Sequence, residues 1–161
     1  MNRHVASAAF IAAALAAAPL AAEVAPGDIV WGEDGSIAES LTGTAGNAEE
    51  GQKIMTTNSL GNCVACHAIS TMPDVPFHGT IAPELGGAAE RWSEAQLRGI
   101  VVDAKRTFPE SFMPGMYKVG PFIRVGDGYT GKAPEGGPDS VKPILSAAQI
   151  EDVVAYLMTL K

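Results

Sequence analysis

In three stretches of the chain, apolar residues recur at helical spacing behind a polar residue able to cap a helix. In the first, Asn47 can cap the amide of Glu50 while Glu50 reaches back as in a capping box, and Gly51, Ile54 and Met55 then share one face. That helix must end before Gly61. Ser93 opens the second, with Gln96 at the reciprocal position and Trp92 placed to staple against Leu97. Its inner stripe is Leu97, Ile100, Val101 and Ala104, and Pro109 stops it. Ser146 opens the third with Gln149 and the staple pair Leu145 and Ile150, which buries Ile150, Val153, Val154 and Leu157. Glu151 and Asp152 near its start, and Lys161 at its end, suit the helix dipole.

Elsewhere no period survives. Residues 23–46 scatter Ile29, Val30, Trp31 and Leu41 among glycines, which predicts either a disordered leader or an extended strap lying on this domain or wrapping a partner. Residues 114–143 are a glycine- and proline-rich insert with room for a small hairpin at Gly126-Asp127-Gly128. No internal repeat is present and sheet content is minimal, so the fold class is all-α: a domain over 47–161 of a few short helices joined by long loops. So little regular structure does not fill a domain of this length. Something else must occupy the centre.

Residues 1–22 read as an export signal, with Arg3 before a mostly apolar run from Val5 to Leu20 and small residues Ala21 and Ala22 ahead of Glu23. Cleavage after Ala22 predicts a periplasmic protein. No apolar run reaches the roughly 20 residues of a spanning helix, so no membrane span is expected. Of the 161 residues 47% are apolar and 18% charged, enough for one domain with a packed core. A formal charge of −7 without a basic stripe excludes nucleic-acid binding.

Cys63-Val64-Ala65-Cys66-His67 has the spacing for covalent haem attachment, with two thiols for the porphyrin vinyl groups and the next imidazole beneath the iron. A zinc half-site would need more ligands than a chain with no other cysteine offers. A thioredoxin-like pair would need a βαβ frame, and a disulfide here would close too short a loop to stabilise much. One haem c is the expected cofactor, and it would fill the centre. His67 is the expected iron ligand, and the Pro83 carbonyl in Ala82-Pro83-Glu84-Leu85-Gly86 the acceptor that fixes its tautomer, with Leu85 packing on the ring. For the sixth position the candidates are Met55, Met72, Met113, Met116, Met158 and His78. Met113 is favoured because it lies far enough after His67 to cross to the opposite face and precedes Pro114, which extends its backbone; Met116 is next, then an open or histidine-ligated iron. His78 otherwise reads as a loop hydrogen-bond donor.

These residues resemble class I cytochromes c. Gly51 with Met55 looks like the glycine-aromatic pair of that family's first helix, with methionine where an aromatic is usual, and Tyr156 looks like the last-helix aromatic that crosses it. Gly61-Asn62, Pro76-Phe77-His78-Gly79, the stretch from Arg91 to Ala104, Phe112-Met113-Pro114 and the ending from Ile144 to Leu157 further resemble the SoxX family, the monohaem subunits of the SoxAX cytochromes of bacterial sulfur oxidation. The resemblance runs from Asn47 onward except near 129–138. It implies haem on Cys63 and Cys66, iron ligation by His67 and Met113, and a SoxA-type partner bearing the catalytic haem. It also implies a SoxYZ-type carrier whose cysteine is joined to thiosulfate, and a downstream cytochrome that takes the electrons. No substrate chemistry is expected of this chain alone. The competing reading is a stand-alone, diffusible electron carrier. Trp31 with its apolar neighbours, and the segment from Ile123 to Tyr129, are the surfaces expected to meet a permanent partner.

Overall fold

Each longer helix starts where a polar side chain takes up amides that the helix cannot pair itself. The computed structural model describes residues 22–120, 122, 132–137 and 140–161. It contains α1 (Ala48–Thr56), α2 (Ala88–Arg91), α3 (Glu94–Asp103) and α4 (Ala147–Leu157), with 3-10 turns at Pro26–Asp28, Cys63–Ala65 and Ala104–Arg106. Among the described residues the only β-type pairing is an isolated parallel bridge between His67 and Ala82. The expected hairpin at 126–128 and partner segment 123–129 lie outside the described residues.

Ser93 with Gln96 and Ser146 with Gln149 form complete capping boxes on α3 and α4. The box expected on α1 does not form. Asn47 Oδ1 accepts from the amides of Glu49 and Glu50, but Glu50 pairs with Lys53 at 2.6 Å, and the Asn47 amide donates to Asp152 Oδ1 at 2.7 Å. Docked α4 supplies a charged acceptor, which frees Glu50 for the next turn of its own helix. α3 also ends earlier than expected: the Asp103 side chain accepts from the Lys105 amide at 3.4 Å and starts a 3-10 turn well before Pro109. Its buried face holds Leu97, Arg98, Val101 and Val102, and Ile100 is only half-buried. The helix is enclosed from two sides, by α4 and by residues 35–37, so a single stripe does not describe it.

The crossing of α1 and α4 is the most extensive helix contact. Gly51 makes it close: a Cβ there would overlap the Asp152 carbonyl and come within 3.0 Å of Tyr156 Cβ. Met55 is fully buried nearby, as are Ile150, Val153 and Val154 of α4. At Gly51 the α1–α4 pair thus packs backbone against backbone, at a distance only glycine permits.

Residues 23–46 lie on this domain. Ile37 and Leu41 enter the core, Ile29 and Trp31 pack half-buried against it, and Val30 between them points outward, as alternation along an extended chain dictates. The Arg106 guanidinium sits 5.0 Å over the Trp31 ring. What ties the segment down is polar. Arg98 and Glu151, 3% and 4% exposed, form a two-pronged ion pair at 2.9 and 3.0 Å. Arg98 Nη1 donates to the Ile37 carbonyl at 3.0 Å, and Glu151 Oε1 accepts the Leu41 amide at 2.8 Å. Burial works against the charge on Arg98, but its bonds to Glu151 and Glu94 outweigh that and raise its pKa.

A buried ion pair that also satisfies two backbone groups is costly to halve. Glu151→Leu leaves the guanidinium without its buried counter-charge and the Leu41 amide without an acceptor, and is expected to lower the unfolding free energy by about 3–5 kcal/mol. Adding Arg98→Met should recover only part of that loss, since two apolar side chains then fill the space but the Leu41 amide and the Ile37 carbonyl stay unpaired. Denaturant unfolding of the two variants decides it; a single-variant loss below about 1 kcal/mol would show that the pair does not hold the segment down.

Candidate functional site

The end of α1 delivers the chain directly into the cysteine-histidine turn. The Asn62 amide donates to the Ile54 carbonyl at 3.3 Å, and Asn62 itself adopts a left-handed conformation (φ 46°) that an asparagine tolerates. From there the chain coils tightly. The amides of Cys66 and His67 both donate to the Cys63 carbonyl, at 3.1 and 2.9 Å, so two thiols and one imidazole project from a single turn. Both thiols are half-buried and not joined to each other. Burial, with a smaller contribution from Cys66, pushes the Cys63 thiol up to about 11. A redox-exchange pair needs a depressed thiol instead. Among the described residues no group of three or more His, Cys, Asp or Glu is placed to hold a metal ion, so the thiols have no protein partners for zinc.

His67 Nδ1 lies 2.6 Å from the Pro83 carbonyl oxygen. A carbonyl only accepts, so Nδ1 carries the proton and Nε2 keeps its lone pair. The acceptor is held in place by a short parallel pairing of the two segments, in which the Ala82 amide donates to the Cys66 carbonyl at 3.1 Å and the Leu85 amide to that of Ala68 at 3.0 Å. Leu85 is half-buried against the core. Two residues without an expected role frame this loop: the Glu84 carboxylate accepts from the Ser70 amide at 2.8 Å, and Arg91 donates to the carbonyls of Gly86 and Glu84 at 2.6 and 3.0 Å. Their signal in the sequence is weak, because each bonds to backbone groups, a Ser70 amide for Glu84 and carbonyls for Arg91, which no residue type marks.

The sulfur candidates separate by environment. Met55 and Met72 are buried in the core. Met116 is buried too, and its backbone is used on both sides: its amide donates to the Val101 carbonyl at 3.3 Å and its carbonyl accepts from Leu145 at 2.9 Å. Met158 caps the end of α4. Met113 is half-buried on an irregular loop, between exposed Phe112 and Pro114, with its amide on Ser111 Oγ at 3.2 Å. His78 does not read as a free ligand. Its Nδ1 accepts from the Ile69 amide at 3.2 Å, which leaves the proton on Nε2, and that nitrogen is buried without a partner.

Large apolar side chains stand exposed in the same segments: Phe77 (94%) and Ile81 between His67 and Pro83, and Phe112 beside Met113. Two half-buried thiols, an imidazole with a free Nε2 and flanking apolar surface are what a covalently held porphyrin requires. The residues fit the group.

The cytochrome c family matches residues 48–161. Among solved structures, a chain of the crystal structure of SoxXA from P. pantotrophus is 60% identical, with a TM-score of 0.81, covering 87% of this chain and 99% of that one. No curated protein matches.

Replacing both thiols tests the part the group plays in the fold. Cys63→Ala with Cys66→Ala should abolish covalent haem, and with it the stabilisation that a tightly bound group confers on the folded state. Circular dichroism is expected to show loss of a cooperative thermal transition; a well-folded, haem-free variant would mean the helices need no group between them.

Proposed function

Because the chain belongs to the cytochrome c family, in its SoxX branch, and carries one covalently bound haem c, we propose that it is the electron-accepting subunit of a periplasmic SoxAX-type complex. Cys63 and Cys66 hold the haem, His67 and Met113 ligate its iron, and Pro83 and Leu85 orient and pack the proximal side. When bound, the haem supplies reversible one-electron transfer. The rest is done by this chain's own residues. The Pro83 carbonyl holds the His67 proton on Nδ1, and Leu85 packs half-buried against the core beside it. Met113 offers its thioether from an irregular loop, half-buried against the edge of the core.

The reaction served is the oxidative joining of thiosulfate to a cysteine of a SoxYZ-type carrier, as in an L-cysteine S-thiosulfotransferase. Forming that S–S bond releases two electrons and the thiol proton. This chain takes electrons from a SoxA-type subunit and passes them to another cytochrome. It performs no turnover by itself: both cysteines are committed, and neither nitrogen of His78 is free to act as a base. Residues 1–22 export it, with cleavage after Ala22. The observation that carries the reading is the 60% identity to a SoxXA chain over nearly all of this one. No helix among the described residues is long and apolar enough to cross a membrane.

Co-expression with a SoxA-type subunit should give a stable pair that joins thiosulfate to the carrier protein in the presence of an oxidised cytochrome, with the isolated chain inactive. Conjugation at an undiminished rate without this chain, or a chain that stays monomeric beside its partner, would support the diffusible carrier instead. Met113→Ala is expected to retain the haem, lower its midpoint potential and let the ferrous protein bind carbon monoxide. Met116→Ala should do neither. The opposite pattern in absorption spectra and redox titration would reverse the ligand assignment.

A further inference from the structure

A proline has no amide, so Pro83 cannot anchor itself through its own N–H, and its carbonyl can face His67 only if its neighbours hold the peptide plane. On the near side the Ala82 amide does this, bound to the Cys66 carbonyl at 3.1 Å. The plane itself, however, is shared with Glu84, so whatever fixes Glu84 fixes the acceptor. Glu84 is held from two directions. Its carboxylate takes the Ser70 amide at 2.8 Å, three residues beyond His67. Its carbonyl takes Arg91 Nη2 at 3.0 Å, and the other arm of the same guanidinium takes the Gly86 carbonyl at 2.6 Å. Hydrogen bonds with one charged partner are roughly twice as strong as neutral ones, and a two-armed guanidinium fixes geometry as well as distance. Both side chains are exposed and neither packs a core, so their bonds are spent on this loop.

We propose that Glu84 and Arg91 are positioning residues for the proximal ligand: they hold the Pro83 carbonyl on the His67 Nδ1 proton and so set how strongly Nε2 donates to iron. The proposal rests on the reading of His67 as that ligand. A well-held acceptor makes the imidazole more basic and favours the oxidised metal, so loosening the acceptor raises the midpoint potential.

The test uses the haem-loaded protein and a charge-matched pair. Glu84→Gln keeps an oxygen that can accept from Ser70, whereas Glu84→Ala does not, and both remove the same charge. In Glu84→Ala the His67 Nδ1 proton should exchange with solvent faster, on the order of tenfold, and the midpoint potential should lie above that of Glu84→Gln. Glu84→Gln should keep its exchange rate near that of the unaltered protein. Arg91→Lys retains the charge but cannot bridge both carbonyls, and should accelerate exchange in the same way; it carries the test if Glu84→Ala fails to mature. Equal exchange rates and potentials in Glu84→Ala and Glu84→Gln, with Arg91→Lys unchanged, would overturn the positioning role. Absence of a hyperfine-shifted His67 resonance in the oxidised, unaltered protein would instead overturn the ligand assignment, and the two failures are separate.

Discussion

The orientation of one peptide carbonyl, that of Pro83, decides what His67 can be. An imidazole has two nitrogens and one proton, and the 2.6 Å contact assigns the proton to Nδ1. Had the loop turned its carbonyl elsewhere, the free lone pair would not be committed to one side of the ring. The rest of the site follows from that choice. The segment after the cysteine turn must run parallel to residues 82–85, which the Ala82 and Leu85 amides enforce, and the turn must start at a defined height on α1, which the Asn62 amide enforces through the Ile54 carbonyl. Backbone bonds therefore pass the position of α1 on to the ring of His67 in a few steps.

Holding α1 is in turn the task of α4 and the N-terminal segment. Gly51 lets the two helices approach to backbone contact, and Asp152 binds the Asn47 amide across the crossing. On the far side of α4, Glu151 is shared between Arg98 of α3 and the Leu41 amide. One residue apart on α4, the two carboxylates face different neighbours and between them join α1, α3 and residues 37–41. The hydrophobic effect collapses these pieces together, but it has no direction. The polar bonds select one arrangement among the compact ones.

How much of the fold is legible in the sequence depends on how far apart the cooperating residues lie. The boxes at Ser93 and Ser146 were legible because both members sit within one turn. The cysteine-histidine turn was legible for the same reason, since attachment to one porphyrin demands adjacent residues. Asn47 looked like a third box and is not, because its true partner is Asp152, more than a hundred residues on. Glu151 looked like a residue suited to a helix dipole, and its burial against Arg98 depends on a separation no local pattern records. The four residues of α2 are too few to show a period, and Arg91 at its end binds carbonyls, which every residue has. Pro83 lies between these cases: its place in Ala82-Pro83-Glu84-Leu85-Gly86 suggested an acceptor, while the residues that aim it were invisible.

The same accounting of used and unused groups bears on why such a chain would work with others. Substrate chemistry needs a nucleophile, or an acid and base, with a free lone pair or proton near a reacting atom. Here the thiols are committed to the turn, His78 spends Nδ1 on a backbone amide, and Glu151 and Asp103 are paired with Arg98 and Lys118. Among the apolar side chains left exposed are Phe77 and Ile81 beside the turn, and Val30 on the N-terminal segment. Phe77 even holds a positive φ of 62°, a conformation unfavourable for an aromatic residue, with its ring in the open. Exposed apolar side chains beside the cysteine-histidine turn suit a protein that exchanges electrons through contact, and in the reading proposed here the bond-making belongs to the subunit on the other side of that contact.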